Sequence, residues 1–250
     1  MKISQCFDAL TAPEKSLSWS SAIAAVVLVT LPVAGPLSRA QEQSDPRWVT
    51  TWTASPSTLP GQADPQDPAQ DQTLRLISHS SVGGDSVRIR LSNTHGNEPI
   101  TVGAASIAMQ STGSSIRAGS SSTLSFSGQA SVTIPRGAVV ISDAINYPVP
   151  QMSNLSVSLY LPANNAFLTA HALSNQINYL SGDGNQTQST NLSNASETPA
   201  WPLLTAIDVI SPDSVSAIAM VGDSITDGWG STASANQRWP NHFSRRLFAD

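Results

Sequence analysis

Between residues 48 and 210 the dominant hydrophobic period is two, and this alternation limits most sharply what the chain can fold into. Val87, Ile89 and Leu91 alternate with Arg88 and Arg90, and Leu155, Val157, Leu159 and Leu161 alternate with Ser156, Ser158 and Tyr160. The latter run predicts four aliphatic side chains on one buried face and hydroxyls on the other. Shorter apolar runs follow the same rule at Leu124 and Phe126, at Val132 and Ile134, and over 139–141, with Pro135-Arg136-Gly137 as a turn between the last two. Gly83-Gly84-Asp85 accept the positive φ of a tight turn, which predicts a hairpin between 74–82 and 87–91. Many short strands, punctuated by Gly, Pro, Ser and Asn, imply a sandwich or barrel.

Two stretches read as loops: 55–72, rich in Pro, Asp and Gln, and 181–199, rich in Asn, Ser, Thr and Gln. The glycosylation triplets at Asn154, Asn185, Asn191 and Asn194 are of a kind that Asn/Ser/Thr-rich segments generate by chance. Trp48 and Trp52 lie four apart, hence on one face of a regular strand. Such a pair can stack on a sugar or pack under a loop, and packing is the commoner use of an indole.

The N-terminus reads as an export signal over 1–40. Lys2 and Lys15 flank a polar lead, an apolar run covers 22–33, and Ser38-Arg39-Ala40 places small residues for cleavage after Ala40. The run is shorter than the ~20 residues a membrane-spanning helix requires, and Pro32 interrupts it. The expected location is therefore secreted or periplasmic, without stable membrane insertion once the signal is removed. Cys6, the single cysteine, falls inside that signal, which excludes disulfides, thiolate metal sites and a cysteine nucleophile from the mature chain. With 12 Lys plus Arg against 17 Asp plus Glu and no basic cluster, nucleic acid is not an expected partner.

After residue 210 the pattern changes. The run 215–221 is almost continuously apolar, as expected for a strand covered on both faces. Gly222-Asp223-Ser224 follows, and Trp239, Phe243 and Leu247 then recur every four residues around Pro240, predicting a helix over about 240–249. A serine just past the carboxyl end of a buried strand stands where open α/β sheets place their ligand crevices, and its own N–H can donate to an oxyanion. Gly222 would let the chain turn sharply. The plain alternative is that Asp223 and Ser224 satisfy turn and helix-start amides. There is no phosphate-loop motif, and the G-x-S-x-G elbow fails at Thr226. No His/Asp/Glu cluster has metal spacing. His242 alone among the histidines is near Ser224 in sequence, and a solvated helix-start histidine is its default reading.

The string VGDSITDGWGST…ANQRWPNHFSRRL closely resembles the first block of the SGNH/GDSL hydrolases, a family of serine ester hydrolases. Upstream, WVTTWTASP, TLRLISHSSVGGDSVRIRLSN and SVTIPRGAVVISD resemble the β-rich region that precedes the catalytic domain in one secreted branch. The resemblance implies a mainly β, sandwich-like domain over 41–213, followed at 214–250 by the first strand and helix of an α/β, flavodoxin-like SGNH domain. It makes Ser224 the nucleophile and an oxyanion donor, with Asp223 as turn support and Gly222 as the tight-turn residue. It implies no cofactor and no metal, and as substrate a small-molecule, lipid or acylated-carbohydrate ester. The family's other parts, a glycine and an asparagine for the oxyanion hole and a late D-x-x-H for base and orienting acid, do not occur in this sequence. The expectation is the front portion of a longer enzyme, nearly inactive alone. The competing expectation is a non-catalytic secreted module that binds carbohydrate or a cell surface.

Overall fold

In the computed structural model the alternating runs become short strands, described over residues 47–58, 71–162, 168–172, 174–211 and 215–249. Chain order runs β1 (Trp48–Thr53), β2 (Gln72–His79), β3 (Gly84–Ser92), β4 (Ile100–Val102) and β5 (Ala104–Thr112). Next come β6 (Ser115–Ile116), β7 (Ser122–Leu124), β8 (Val132–Ile134), β9 (Val139–Ile141), β10 (Ile145–Val149) and β11 (Asn154–Leu161). They are followed by β12 (Ala170–His171), β13 (Asn178–Asp183), β14 (Ser196–Thr198), β15 (Trp201–Pro202) and β16 (Leu204–Ile210). Two short helices, α1 (Ser224–Asp227) and α2 (Trp239–Leu247), come last. The chain is thus mostly β. The described residues belong to one compact unit, Ser44–Asp250, while the expected export signal and the middle of the 55–72 loop lie outside the described residues.

One sheet orders β1-β16-β3-β10, with β9 also on β3; the other orders β14-β13-β2-β11-β5-β6, with β7 also on β5. The pairing is antiparallel. In the second sheet the register aligns Val157 with Leu76 and Ile107, and Leu159 with Leu74 and Ala105, so one face is a continuous aliphatic surface. It shares a core with Val87, Ile89, Leu91, Ile207 and Val209 of the first sheet. Each such side chain, fully buried, is worth about 1.5–3 kcal/mol. A one-residue slip would turn the whole set outward, so the register is strongly specified.

Three expectations need correction. The hairpin at 83–85 does not exist, because β2 and β3 lie in different sheets and the connection crosses the core edge. Gly83 and Gly84 do not take positive φ; they are needed for close approach. A Cβ on Gly83 would lie 2.6 Å from the Val149 carbonyl oxygen, and one on Gly84 would run into the Ile210 carbonyl and sit 2.9 Å from the Val209 Cβ. Gly84→Ala should therefore lower stability by about 1–3 kcal/mol, read as a drop in the urea midpoint at unchanged slope.

The hydroxyl face of β11 is not wet. Ser156 and Ser158 are buried, and the excursion between β13 and β14 covers the second sheet's outer face around Ser106, Arg75 and Ser158. Ser106 Oγ donates to the Thr187 carbonyl, and Arg75, also fully buried, reaches the Gln186, Ser189 and Thr190 carbonyls beneath it. A segment expected to be only a surface loop is a lid over polar side chains.

Trp48 and Trp52 are not on one face. The register of β1 against β16 shifts between Thr50 and Trp52, and this bulge turns Trp52 inward beside Val49. Trp52 packs edge-on against Trp201 at 4.9 Å between ring centroids. Trp48 stays on the other face, covered by the Arg88 guanidinium 4.2 Å above its ring. No shared indole shelf results.

Candidate active site

The segment 215–221 was expected to be a strand buried on both faces. It is instead extended chain without strand pairing, with Ile218 and Val221 exposed at 60% and 96%. A parallel strand needs a neighbour for its N–H and C=O groups, and the antiparallel sheets offer none here. The helix expectation holds: α2 begins at Trp239 with Pro240 in its first turn. Its Trp239, Phe243 and Leu247, four apart, are all exposed, as is Phe248.

Ser224 opens α1, a single helical turn. Asp223 is its N-cap, and the carboxylate accepts from the Ile225 N–H at 3.0 Å. Gly228 ends the turn in the left-handed region at φ 107, donating to the Ser224 and Ile225 carbonyls at 3.0 and 3.2 Å. Trp229 N–H also donates to the Ser224 carbonyl, at 2.7 Å. Gly222 does not have positive φ; it leaves room for the Thr226 side chain, which a Cβ would meet. The Ser224 side chain is exposed and lines a cavity of about 1180 Å³ together with Trp52, Val215, Val221, Trp229 and Phe243. Among the described residues, neither its Oγ nor its N–H enters a hydrogen bond.

Polar contacts tie this segment to the β body. Asn175 Nδ2 donates to Ser231 Oγ at 2.7 Å, Ser234 N–H donates to the Asn175 carbonyl at 3.2 Å, and Ile177 N–H and Gln176 Nε2 donate to Ser234 Oγ. Asn236 Nδ2 donates to Asn154 Oδ1 at 2.9 Å, beside His79. Arg238 reaches the Ser174 carbonyl at 3.4 Å, and its guanidinium lies 5.8 Å from the centroid of the Trp201 ring. At roughly 1 kcal/mol each, these bonds fix the segment without burying its apolar side chains.

The histidines fall into distinct roles. His79 donates from Nδ1 to Asn154 Oδ1 at 2.7 Å, and burial lowers its pKa, keeping it neutral near pH 7. His242 Nδ1 accepts from Arg245 at 3.1 Å on exposed α2, with no bond to Ser224. His171 meets the serine turn. Its Nδ1 lies 2.8 Å from the Ser55 carbonyl and its Nε2 lies 2.9 Å from Asp227 Oδ2. Burial lowers the imidazole pKa, but the hydrogen bond and charge of Asp227, with the Ser55 carbonyl, outweigh it and leave the value raised. Both ring nitrogens are engaged, so His171 is not free to take a proton from Ser224 in this arrangement. Its meeting with Asp227, 56 residues away, was not legible from the sequence, where the only hint is that Asp227 follows Ser224 by three and shares its helical face.

Among the described residues no group of three or more His, Cys, Asp or Glu side chains is placed to hold a metal ion, and no helix is long and apolar enough to cross a membrane. No family model matches this chain, and no curated protein matches it.

Proposed function

We propose that the protein is a serine ester hydrolase of the SGNH/GDSL type, in which Ser224 attacks an ester carbonyl and carries the acyl group until water releases it. The observation that carries this reading is the setting of Ser224. It is the first residue of a capped helical turn, exposed at a largely apolar cavity, with hydroxyl and N–H both free of partners among the described residues. A serine hydroxyl needs a base, and the N–H at such a position is aimed to stabilise a developing oxyanion. The base, by the family resemblance, is the histidine of a D-x-x-H motif that this sequence does not contain, and the chain by itself is expected to turn over ester only at background. The substrate belongs to the small-molecule, lipid or acylated-carbohydrate esters.

In the same reading, 215–221, unpaired here, becomes the first strand of a flavodoxin-like layer once parallel neighbours join it, and the exposed stripe Trp239, Phe243, Leu247 becomes the helix face that packs on that layer. Support comes from the concentration of exposed large apolar side chains in 215–248, which includes Ile218, Val221 and Trp229 beside the α2 stripe. The carbohydrate-module reading gains nothing from Trp48 and Trp52, since one lies under Arg88 and the other in the core.

The test is covalent. The full natural protein treated with a fluorophosphonate ester probe should carry the adduct on Ser224, located by peptide mass spectrometry. An adduct on another side chain, or none while the probe labels a control serine hydrolase, rules the proposal out.

A further inference from the structure

We propose that His171 is a positioning residue for Ser224: anchored at Nδ1 on the Ser55 carbonyl, it grips the Asp227 carboxylate through Nε2 and holds the nucleophile's helical turn against the β body. This rests on the reading of Ser224 as the nucleophile.

The turn cannot hold itself. A four-residue helix lies below the length at which helix formation becomes favourable, and none of its residues is buried. Beyond its own caps, Thr226 Oγ1 receives a long 3.4 Å contact from the Trp239 indole, while Asp227 makes the 2.9 Å ionic contact to His171. Asp227 N–H donates to the Asp223 carbonyl and Trp229 N–H to the Ser224 carbonyl, so a displacement of the carboxylate is passed directly to the residues that frame Ser224. An ångström of misplacement at a reacting group is enough to cost about 100-fold in rate.

The latch depends on one proton. Its two partners, a carbonyl and a carboxylate, are both acceptors, and only the imidazolium donates at both nitrogens. The neutral ring must turn a lone pair toward one of them. Asp227 on α1 favours the charged ring, Arg238 ahead of α2 opposes it, and the Trp201 ring of β15, at 5.9 Å, is uncharged. The sign follows from the raised value: the contact is complete at pH below the ordinary histidine pKa and is lost as pH rises through the folded-state value.

The experiment uses the full natural protein with ¹³C-labelled histidine, as wild type, His171→Gln, Asp227→Asn and the double variant. By NMR, the His171 ring should titrate above the ordinary histidine value in wild type and below it in Asp227→Asn, where burial is no longer offset. Steady-state ester hydrolysis should show kcat reduced roughly tenfold or more in each single variant with KM within about twofold, and the double variant no worse than the singles. The alkaline fall of kcat in wild type should coincide with the ring titration and vanish in His171→Gln. A ring that titrates identically in wild type and Asp227→Asn, or His171→Gln with wild-type kcat and the same alkaline fall, overturns the proposal. Wild-type protein without Ser224-dependent hydrolysis would instead defeat the esterase reading, and the ring titration with amide exchange over 224–236 would still decide the latch.

Discussion

Arg75→Met should be strongly destabilising to the β body. The guanidinium is fully buried and donates from Nε to Ser158 Oγ at 3.0 Å, from Nη1 to the Ser114 and Thr190 carbonyls at 2.8 and 3.4 Å, and from Nη2 to the Gln186 and Ser189 carbonyls at 3.2 and 2.8 Å. Burial pulls its pKa down to about 10, still well above neutrality, so the group stays charged and all its partners are oxygen dipoles. Methionine keeps the apolar stem only about as far as Nε, removes every donor and leaves the space of the guanidinium unfilled. Each abandoned buried acceptor costs about 1–3 kcal/mol, and with non-additivity the sum comes to about 4 kcal/mol or more, a large share of a typical domain's total stability. Arg75→Lys should fall between, because an ammonium cannot span acceptors on three chain segments. The check is the urea midpoint of residues 44–250, with amide exchange over 184–192 expected to rise in the Met variant. A midpoint within about 0.5 kcal/mol of wild type would show that the lid over the second sheet is held by something else.

Arg75 also shows where reading from sequence stops. The run over 74–82 and the alternation over 155–161 implied strands, and β2 and β11 form there, because side-chain period is a local property of an extended backbone. Whether the polar face of such a strand meets water depends on a segment 110 or so residues away, and no local pattern in QTLRLISH encodes it. The same limit explains the failed hairpin. Gly83 and Gly84 are equally suited to a tight turn and to backbones in close approach, and only the assignment of β2 and β3 to different sheets decides between these uses. In β1 a single bulge between Thr50 and Trp52 was enough to separate two indoles that regular spacing put together. At the other end, α2 was legible because Pro240 and the four-residue spacing of Trp239, Phe243 and Leu247 are local signals, while 215–221 was not, since a strand exists only with a partner. Around Ser224, the cap by Asp223 follows from adjacent residue types. The grip of His171 on Asp227 and the Asn175, Gln176 and Asn154 contacts are long-range meetings of residues that look ordinary where they stand.

Ser224→Ala in the full natural protein should abolish ester turnover, by about 10⁴-fold or more, with little change in folding. Removing a nucleophile that forms a covalent intermediate removes the step, not one contact within it, and the loss corresponds to roughly 5 kcal/mol or more of transition-state stabilisation. Stability should hardly move, because Ser224 is exposed and the bond that caps the first turn of α1, from Ile225 N–H to Asp223, does not involve the Ser224 side chain. That contrast separates chemistry from capping: Asp223→Ala should lose about 1 kcal/mol of turn stability and part of the rate, whereas Asp223→Asn keeps an acceptor for Ile225 N–H and should retain most of both. The measurement is hydrolysis of a short-chain chromogenic ester alongside thermal unfolding. Equal rates for wild type and Ser224→Ala would reduce the serine to a helix-start residue, and the plain reading of Gly222-Asp223-Ser224 would stand. Robust Ser224-dependent turnover by residues 41–250 alone would mean instead that a base lies within this chain. His171, released from Asp227, and His242 on α2 would then be the two imidazoles to exchange for Gln first.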